Sequence, residues 1–498
     1  MKPIFDTNEH SKYQNFLIQN LIDLGPNIFS FPKSTWDKII DFYYLDLSFI
    51  NPLLTDSYCK KGPTPRLPSN IFRSYLLSLK LKVTSITTWV SMLHETPLYA
   101  ILSGFDPNDV PGIGTFYDFF SRLWDSDNPN LASSKLRYKK KKTPKGKKKG
   151  EKTPNIKTTA SARFIDFFSK HTLHDSSSSP INPMFQIFKH FLNISVEKGL
   201  IDLNNLSLAG DGTPVRTSAR MRYKKACKCS EDGNIHCSCK RNFSQPDCDI
   251  GWDSSRECYF HGYHLYIYVD ADSDNDLPVF PLLERASRHD MLSFLHSFFT
   301  MKAWIPEATV KKLMLDAAHD SDAVYTYCNS NGITPFIDLN PRGLGKYIYE
   351  DTFYLNEDGR PICVKTDLPF TSEGIEPTRR RRKWRCPKAG KSGCKCENPC
   401  TNSSYGRVVH TTTSDNPRLL CEPRRDSKEW QLEYNKRTSV ERSNKRQKDD
   451  YKLENGKHRS TKMWYCRLYC IMMLQHLDAW EFPSIDSFKG LLKGMLPA

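Results

Sequence analysis

From Leu206 to Val215 the chain reads LSLAGDGTPV, an apolar extended run that reaches Asp211 and then meets Gly212. Upstream of it, apolar residues recur at helical spacing. Downstream they alternate or run together, as strands do. A short strand ending at Asp211 and broken at Gly212 is the direct reading. HLYIYVDAD (264–272) alternates, LPVFPLLERA (277–286) is extended, and MLSFLHSFF (291–299) has helical spacing. VKKLMLDAAHDSDAVYTYCNSNGITPFIDLN (310–340) then reads strand, helix, strand, with Asp316 at the end of the first strand. Three strands, helix, strand, helix, strand is the order of an α/β fold. In such sheets ligands gather at the carboxyl ends of the strands, which draws attention to Asp211 and Asp316.

Before Leu206, IFRSYLLSLKLK (71–82), ITTWVSMLHE (86–95) and TFYDFFSRLW (115–124) carry helical periodicity, with Ser69 or Asn70 placed to cap the first. PMFQIFKHFLNISVEKG (183–199) is a further helix. Between them, KLRYKKKKTPKGKKKGEKTPNIK is a run of like charge broken by Pro and Gly. It is read as an extended linker that can also contact phosphates. A last helix, STKMWYCRLYCIMMLQHLDAW (460–480), has a broad apolar face suited to covering the sheet.

The chain has 498 residues, enough for more than one core, and a formal net charge of +16 that is clustered rather than spread. Clustered positive charge points to a polyanion, nucleic acid first. A membrane-surface role is disfavoured because no run of about 18 apolar residues occurs. The first residues, MKPIFDTNEHSKYQ, lack the regions of a secretory signal. A soluble cytoplasmic protein with no membrane partner is expected.

Downstream, YNKRTSVERSNKRQK (434–448) places Tyr434, Arg437, Glu441 and Lys448 at Y-x2-R-x3-E-x6-K spacing. On one helix these four fall near one stripe, so a carboxylate would be framed by cations and a phenol. Alone, the pattern also describes a solvated charged helix. With Asp211 and Asp316 it supplies a third carboxylate. Three clustered carboxylates repel one another unless divalent cations neutralise them. Oxygen ligands select Mg²⁺ or Mn²⁺, and two such ions about 4 Å apart serve phosphodiester chemistry. Asp320 and Asp322 open a helix, where Asp320 or Ser321 is read as its cap. His289 and Asp290, in the ERASRHD turn, are read as structural.

These residues resemble the DDE transposases of bacterial insertion sequences, in particular the group marked by a YREK pattern around its glutamate. Tyr434, Arg437, Glu441 and Lys448 match that pattern at every spacing. LAGDGT and LMLDAAHDSDAVY are similar to the two aspartate motifs, and GYHLYIYVDADSDNDLPV and ERASRHD to the following strands and turn. GPTPRLPSNIFRSYLLSLKL and GIGTFYDFFSRLW are similar to the helical DNA-binding region of that family.

The resemblance implies an RNase H-like mixed-sheet catalytic core with an insertion between the second Asp and the Glu, and an all-helical N-terminal domain. Its boundaries are a DNA-binding segment at 1–132, a linker at 133–162 and the first part of the core at 163–342, itself interrupted at 214–261. An insertion domain follows at 343–428, and the Glu-bearing part at 429–498. Asp211, Asp316 and Glu441 would hold two Mg²⁺ or Mn²⁺ ions, and Tyr434, Arg437 and Lys448 would hold end DNA. The implied activity is cleavage and strand transfer on double-stranded DNA, with a homodimer pairing two ends at the bacterial nucleoid. A transposase-derived DNA-binding protein that no longer cleaves is the alternative, and a zinc hydrolase built on the Cys clusters a third.

Ten of the sixteen cysteines fall in two windows, six from Cys227 to Cys258 and four from Cys386 to Cys400. The first, CKCSEDGNIHCSCKRNFSQPDC, contains Cys227, Cys229, Cys237 and Cys239, with His236 and Cys248 nearby. The second, WRCPKAGKSGCKCENPC, contains Cys386, Cys394, Cys396 and Cys400. Each is a candidate structural Zn²⁺ site. The second is favoured because so polar a segment lacks a core of its own. Beside it, TRRRRKWRC places Arg379, Arg380, Arg381, Arg382 and Trp384 where phosphate contact and base stacking are expected.

Overall fold

The computed structural model describes residues 9–59, 64–124, 159–170, 182–220, 231–233, 245, 248–340, 348–349, 352–379, 381–390 and 393–495. Most of the basic linker, Arg380 and the four cysteines of the first window lie outside these residues. So does the side chain of Cys394.

The amino-terminal helices are α1 (Glu9–Asp23), α2 (Lys33–Tyr44), α3 (Ile50–Leu54), α4 (Pro68–Lys80), α5 (Ile86–Glu95), α6 (Pro97–Ser103) and α7 (Ile113–Arg122). Helix α4 starts on Pro68 at its first turn, and no side chain caps it. The expected capping by Ser69 or Asn70 gives way to Asn51, whose Oδ1 accepts the Ser69 N–H at 2.9 Å. Helices α8 (Ala160–Lys170) and α9 (Pro183–Glu197) lead into the sheet.

That sheet contains β1 (Leu206–Arg216), β2 (Asp249–Asp253), β3 (Cys258–Asp270), β4 (Pro278–Arg285), β5 (Val310–Leu315) and β6 (Thr334–Ile337), with α10 (Asp290–Trp304) and α11 (Asp322–Ser330) between strands. Its order is β2-β3-β1-β5-β6, and β4 also pairs with β3. β1 and β3 are antiparallel, whereas β1, β5 and β6 run parallel. The fold is therefore α/β with a mixed sheet. β1 does not stop at Gly212. It continues to Arg216 because β3 supplies partners along that whole length, from Leu208↔Asp270 to Arg216↔Gly262. The span expected as a Cys-rich interruption thus includes the end of β1, all of β2 and the start of β3.

Residues 343–428, expected as an insertion domain, carry β7 (Ile348–Tyr349), β8 (Phe353–Leu355), β9 (Pro361–Cys363), β10 (Thr371–Glu376), β11 (Arg381–Arg385), β12 (Ala389–Gly390), β13 (Gly393–Cys394) and β14 (Val408–Thr411). They form small sheets around a separate apolar cluster that includes Phe353, Leu355, Phe370, Trp384, Cys386 and Val409. So this segment does possess a core. The chain ends in α12 (Lys428–Asn435), α13 (Thr438–Lys445), α14 (Thr461–Ala479) and α15 (Ile485–Met495).

Helix α14 is buried on every side, not on one face, from Trp464 to Leu477. It packs on β4, α4 and α9, so the amino-terminal helices and the sheet share one continuous core. Trp124 Nε1 donates to Cys466 Sγ at 3.2 Å, and His476 bridges Ser195 Oγ at 2.8 Å and the Pro278 carbonyl at 2.9 Å. Among the described residues no helix is long and apolar enough to cross a membrane.

Candidate active site

Adjacent parallel strands bring Asp211, within β1, beside Asp316, the residue that follows β5. Asp316 caps the short turn Ala317–His319. Its Oδ1 accepts the Ala318 N–H at 3.1 Å and lies 2.5 Å from His319 Nδ1. The buried His319 is oriented from behind by Tyr266, whose hydroxyl is 2.9 Å from Nε2. Burial pushes the Asp316 carboxyl up, but the hydrogen bonds and charge from His319 and the Ala318 N–H outweigh it. The net shift is below the ordinary carboxylate range.

Asp211 behaves in the opposite way. Among the described residues its carboxylate has no hydrogen-bond or ion-pair partner. Burial, and then the charge of Asp316, push it up to about 6. Two neighbouring carboxylates, one without a donor, form an arrangement that a hard cation would complete.

The glutamate segment is not one continuous helix. α12 ends at Asn435, α13 starts at Thr438, and a π-helical turn follows at Arg446–Asp450. The four signature residues therefore leave a single stripe and take separate stations. Tyr434, half-buried, stacks on Trp430 with centroids 4.6 Å apart. Arg437 stands at the start of α13 and donates to Glu441 Oε1 at 2.6 Å. Its charge also eases that of Asp211. Lys448, carried round by the π-helical turn, donates to Thr213 Oγ1 at 2.5 Å, two residues along β1 from Asp211. Strand alternation puts Thr213 and Asp211 on the same face. Burial lowers the Lys448 pKa.

Helix α13 packs on β1 and β3, which brings Glu441 over the strand that carries Asp211. Its carboxylate is half-exposed and engaged by Arg437. Among the described residues no three His, Cys, Asp or Glu side chains are grouped closely enough to hold a metal ion. The structure thus pairs Asp211 with Asp316 and leaves Glu441 tied to its helix-mate.

Two residues read as structural stand closer to the site than expected. Asp290 Oδ1 is 3.0 Å from His264 Nε2, and its charge acts on both Asp211 and Asp316. A Cβ at Gly212 would overlap Asp290 Oδ1 and the His264 ring, so only glycine admits both groups against β1. The ERASRHD turn that delivers Asp290 is organised by the buried Glu284, which accepts from Arg288 Nε at 3.0 Å and Ser293 Oγ at 2.7 Å. His296 Nδ1 lies 2.9 Å from the same carboxylate. His289 caps α10. The signal was present in HD after a strand, but its partner His264 lies on another strand.

Asp320 is neither a ligand nor the helix cap. Arg418 donates to it at 2.8 and 2.5 Å, fastening the end of the insertion to the sheet, while Ser321 takes the capping position without a side-chain bond. Trp384 also differs from the expected stacking residue. It is 1% exposed in the insertion core with its indole N–H on Thr411 at 2.8 Å, so it cannot stack on a base. Arg381 pairs with Glu376 at 2.7 Å and Arg382 with Glu422 at 2.9 Å, while Arg379 is exposed. Of the second cysteine window, Cys386 is buried, Cys396 half-buried and Cys400 exposed.

Comparison of the chain with protein-family models, with curated proteins and with solved structures returned no match.

Proposed function

We propose that the protein is a DDE-type transposase, which cleaves DNA at the ends of a mobile element and joins them to target DNA. The observation that carries the reading is the pairing of Asp211 with Asp316 on adjacent parallel strands under the helix of Glu441. The strand order β4-β3-β1-β5-β6 supports an RNase H-like core. Divalent cations, Mg²⁺ or Mn²⁺, would be held by Asp211, Asp316 and Glu441. When bound they supply Lewis acidity and charge neutralisation for phosphodiester hydrolysis and transesterification.

The chain's own groups do the rest. His319 holds one carboxylate oxygen of Asp316 in place. Arg437 and Lys448 present cations to DNA phosphates beside Asp211, and Tyr434, seated on Trp430, stands near Asp316. Glu441 must leave Arg437 to join the aspartates, which frees that guanidinium for phosphate as the carboxylate turns inward. The exposed Arg379 and the basic linker would add contacts of no sequence preference. Two protomers pairing two ends, zinc on Cys386, Cys394, Cys396 and Cys400, and action at the nucleoid complete the proposal.

The test uses DNA spanning the flanks of the protein's own gene, with Mg²⁺ or with chelator. Cleavage that requires metal and is lost in Asp211→Asn, Asp316→Asn and Glu441→Gln is expected. Binding without metal-dependent cleavage would instead identify a DNA-binding derivative. Metal analysis of the purified protein decides the zinc proposal, since absence of stoichiometric zinc removes it.

A further inference from the structure

Helix α13 has little apolar surface with which to hold itself in place. Of TSVERSNK, Ser439, Val440, Ser443 and Asn444 are buried, and Val440 alone is apolar. Burial of one valine carries no direction, so it cannot set the rotation of a helix about its axis. Directional bonds do this instead, and they converge on the turn between β3 and β4. Arg442 grips Asp276 bidentately, Nε to Oδ2 at 2.7 Å and Nη2 to Oδ1 at 2.6 Å. Arg446 Nη1 donates to the Asn275 carbonyl at 3.1 Å. Lys436 Nζ, just before the helix, donates to Asp272 Oδ1 at 2.6 Å.

Asp272 is itself tied to the sheet, because its Oδ2 accepts from Ser207 Oγ at 2.6 Å. Ser207 lies on β1, the strand of Asp211. A relay of short polar contacts therefore references the helix of Glu441 to the strand of Asp211. Asp276 is 8% exposed and adopts a left-handed backbone at φ 51°, a conformation Asp tolerates better than most residues. On the far side Gln475 of α14 closes the grip, donating to Ser443 Oγ at 3.0 Å and accepting from Gln447 at 3.0 Å.

We propose that Asp276 and Asp272 are positioning residues for Glu441: through Arg442 and Lys436 they clamp α13 and set where its carboxylate stands relative to Asp211. The inference rests on the transposase reading for its consequence in catalysis, though not for the clamp itself. It also reassigns part of the positive charge of this segment from DNA to an acidic turn within the chain.

The experiment compares the full chain with Asp276→Asn, with Arg442→Gln and with the exchanged pair Asp276→Arg/Arg442→Asp. Amide exchange over residues 438–447 reads the clamp without DNA. Both single changes should speed it about tenfold or more and leave α14 unaltered, and the exchanged pair should restore protection. At saturating DNA, the single changes should slow cleavage about tenfold and raise the Mn²⁺ needed for half activity. The DNA needed for half saturation stays the same, and the exchanged pair recovers the rate.

Wild-type exchange in the single variants overturns the clamp. Wild-type cleavage and Mn²⁺ dependence in them overturn its role in positioning, as does a loss that the exchanged pair fails to recover. If Asp276→Asn does not fold, Asp272→Asn carries the same measurements. A wild-type protein that binds DNA but never cleaves it sinks the transposase reading while the exchange result stands.

Discussion

Two successive helices near the end of the chain, α13 and α14, are held by opposite means. α14 is buried all round, and even its Arg467 is satisfied inside, donating to the carbonyls of Leu453, Tyr451 and Lys452 at 3.1, 3.2 and 2.7 Å. α13 contributes a single buried apolar side chain and is held by ion pairs and amide bonds. Apolar burial is strong but directionless, whereas a bidentate ion pair is weaker and fixes an angle. The helix that builds the core uses the first, and the helix that aims a carboxylate uses the second.

The largest effects should separate function from stability. Glu441→Gln and Asp211→Asn should each reduce metal-dependent cleavage at least about 100-fold, measured on end DNA, while the fold persists. Asp211→Asn should also stabilise the protein by about 1–3 kcal/mol at pH 7.5 in urea unfolding. The sign follows from its position. The folded pKa of about 6 lies above the unfolded carboxyl value of 3.8, so the folded state binds the proton more tightly. Its charge therefore costs stability above pH 6, and the cost vanishes as pH falls through 6 toward 4. An equal gap at pH 7.5 and pH 4 would break the assignment.

In α14 the reverse pattern is expected. Leu474→Ala, at a fully buried position, should cost about 2–5 kcal/mol of unfolding free energy. His476 is the titrating member of that helix. Burial holds its pKa at about 4, below the ordinary 6.5, so it is neutral in the folded state. Its contribution is present above pH 6.5 and is lost as pH falls from 6.5 through 4, about 3 kcal/mol in all. His476→Gln should remove that slope from a stability series over pH 4–7, and an unchanged slope would refute it. The smallest effect concerns the insertion. Trp384→Phe should cost about 1 kcal/mol, for the bond to Thr411, and leave DNA affinity as it was.

Much of the fold was legible in the chain. Apart from β2, which fell within the expected Cys-rich interruption, the strand and helix order from Leu206 to Ile337 follows from local apolar periodicity, and Asp316 stands at its strand end as read. The insertion was not legible. Its strands are short and its core draws on Phe353, Phe370, Trp384 and Val409, which are scattered and become a cluster only when the strands pair. Nor was the break between α12 and α13, since charged residues on both sides of Lys436 read equally well as one helix. Gly212 read as a strand end because glycine usually ends strands. Here its missing side chain makes room for Asp290 and His264.

By itself the sequence determined the α/β order, the basic character and which acids and cations were worth following, because periodicity and residue type are local properties. The tertiary structure alone decided their partners. Arg442 meets Asp276 across 166 residues, Lys448 meets Thr213 across 235, and Arg418 meets Asp320 across 98. A side chain's charge can be read from its name, but which charge lies opposite depends on how the strands register and how the helices lie on them. That geometry is set by burial of the whole core rather than by any one segment.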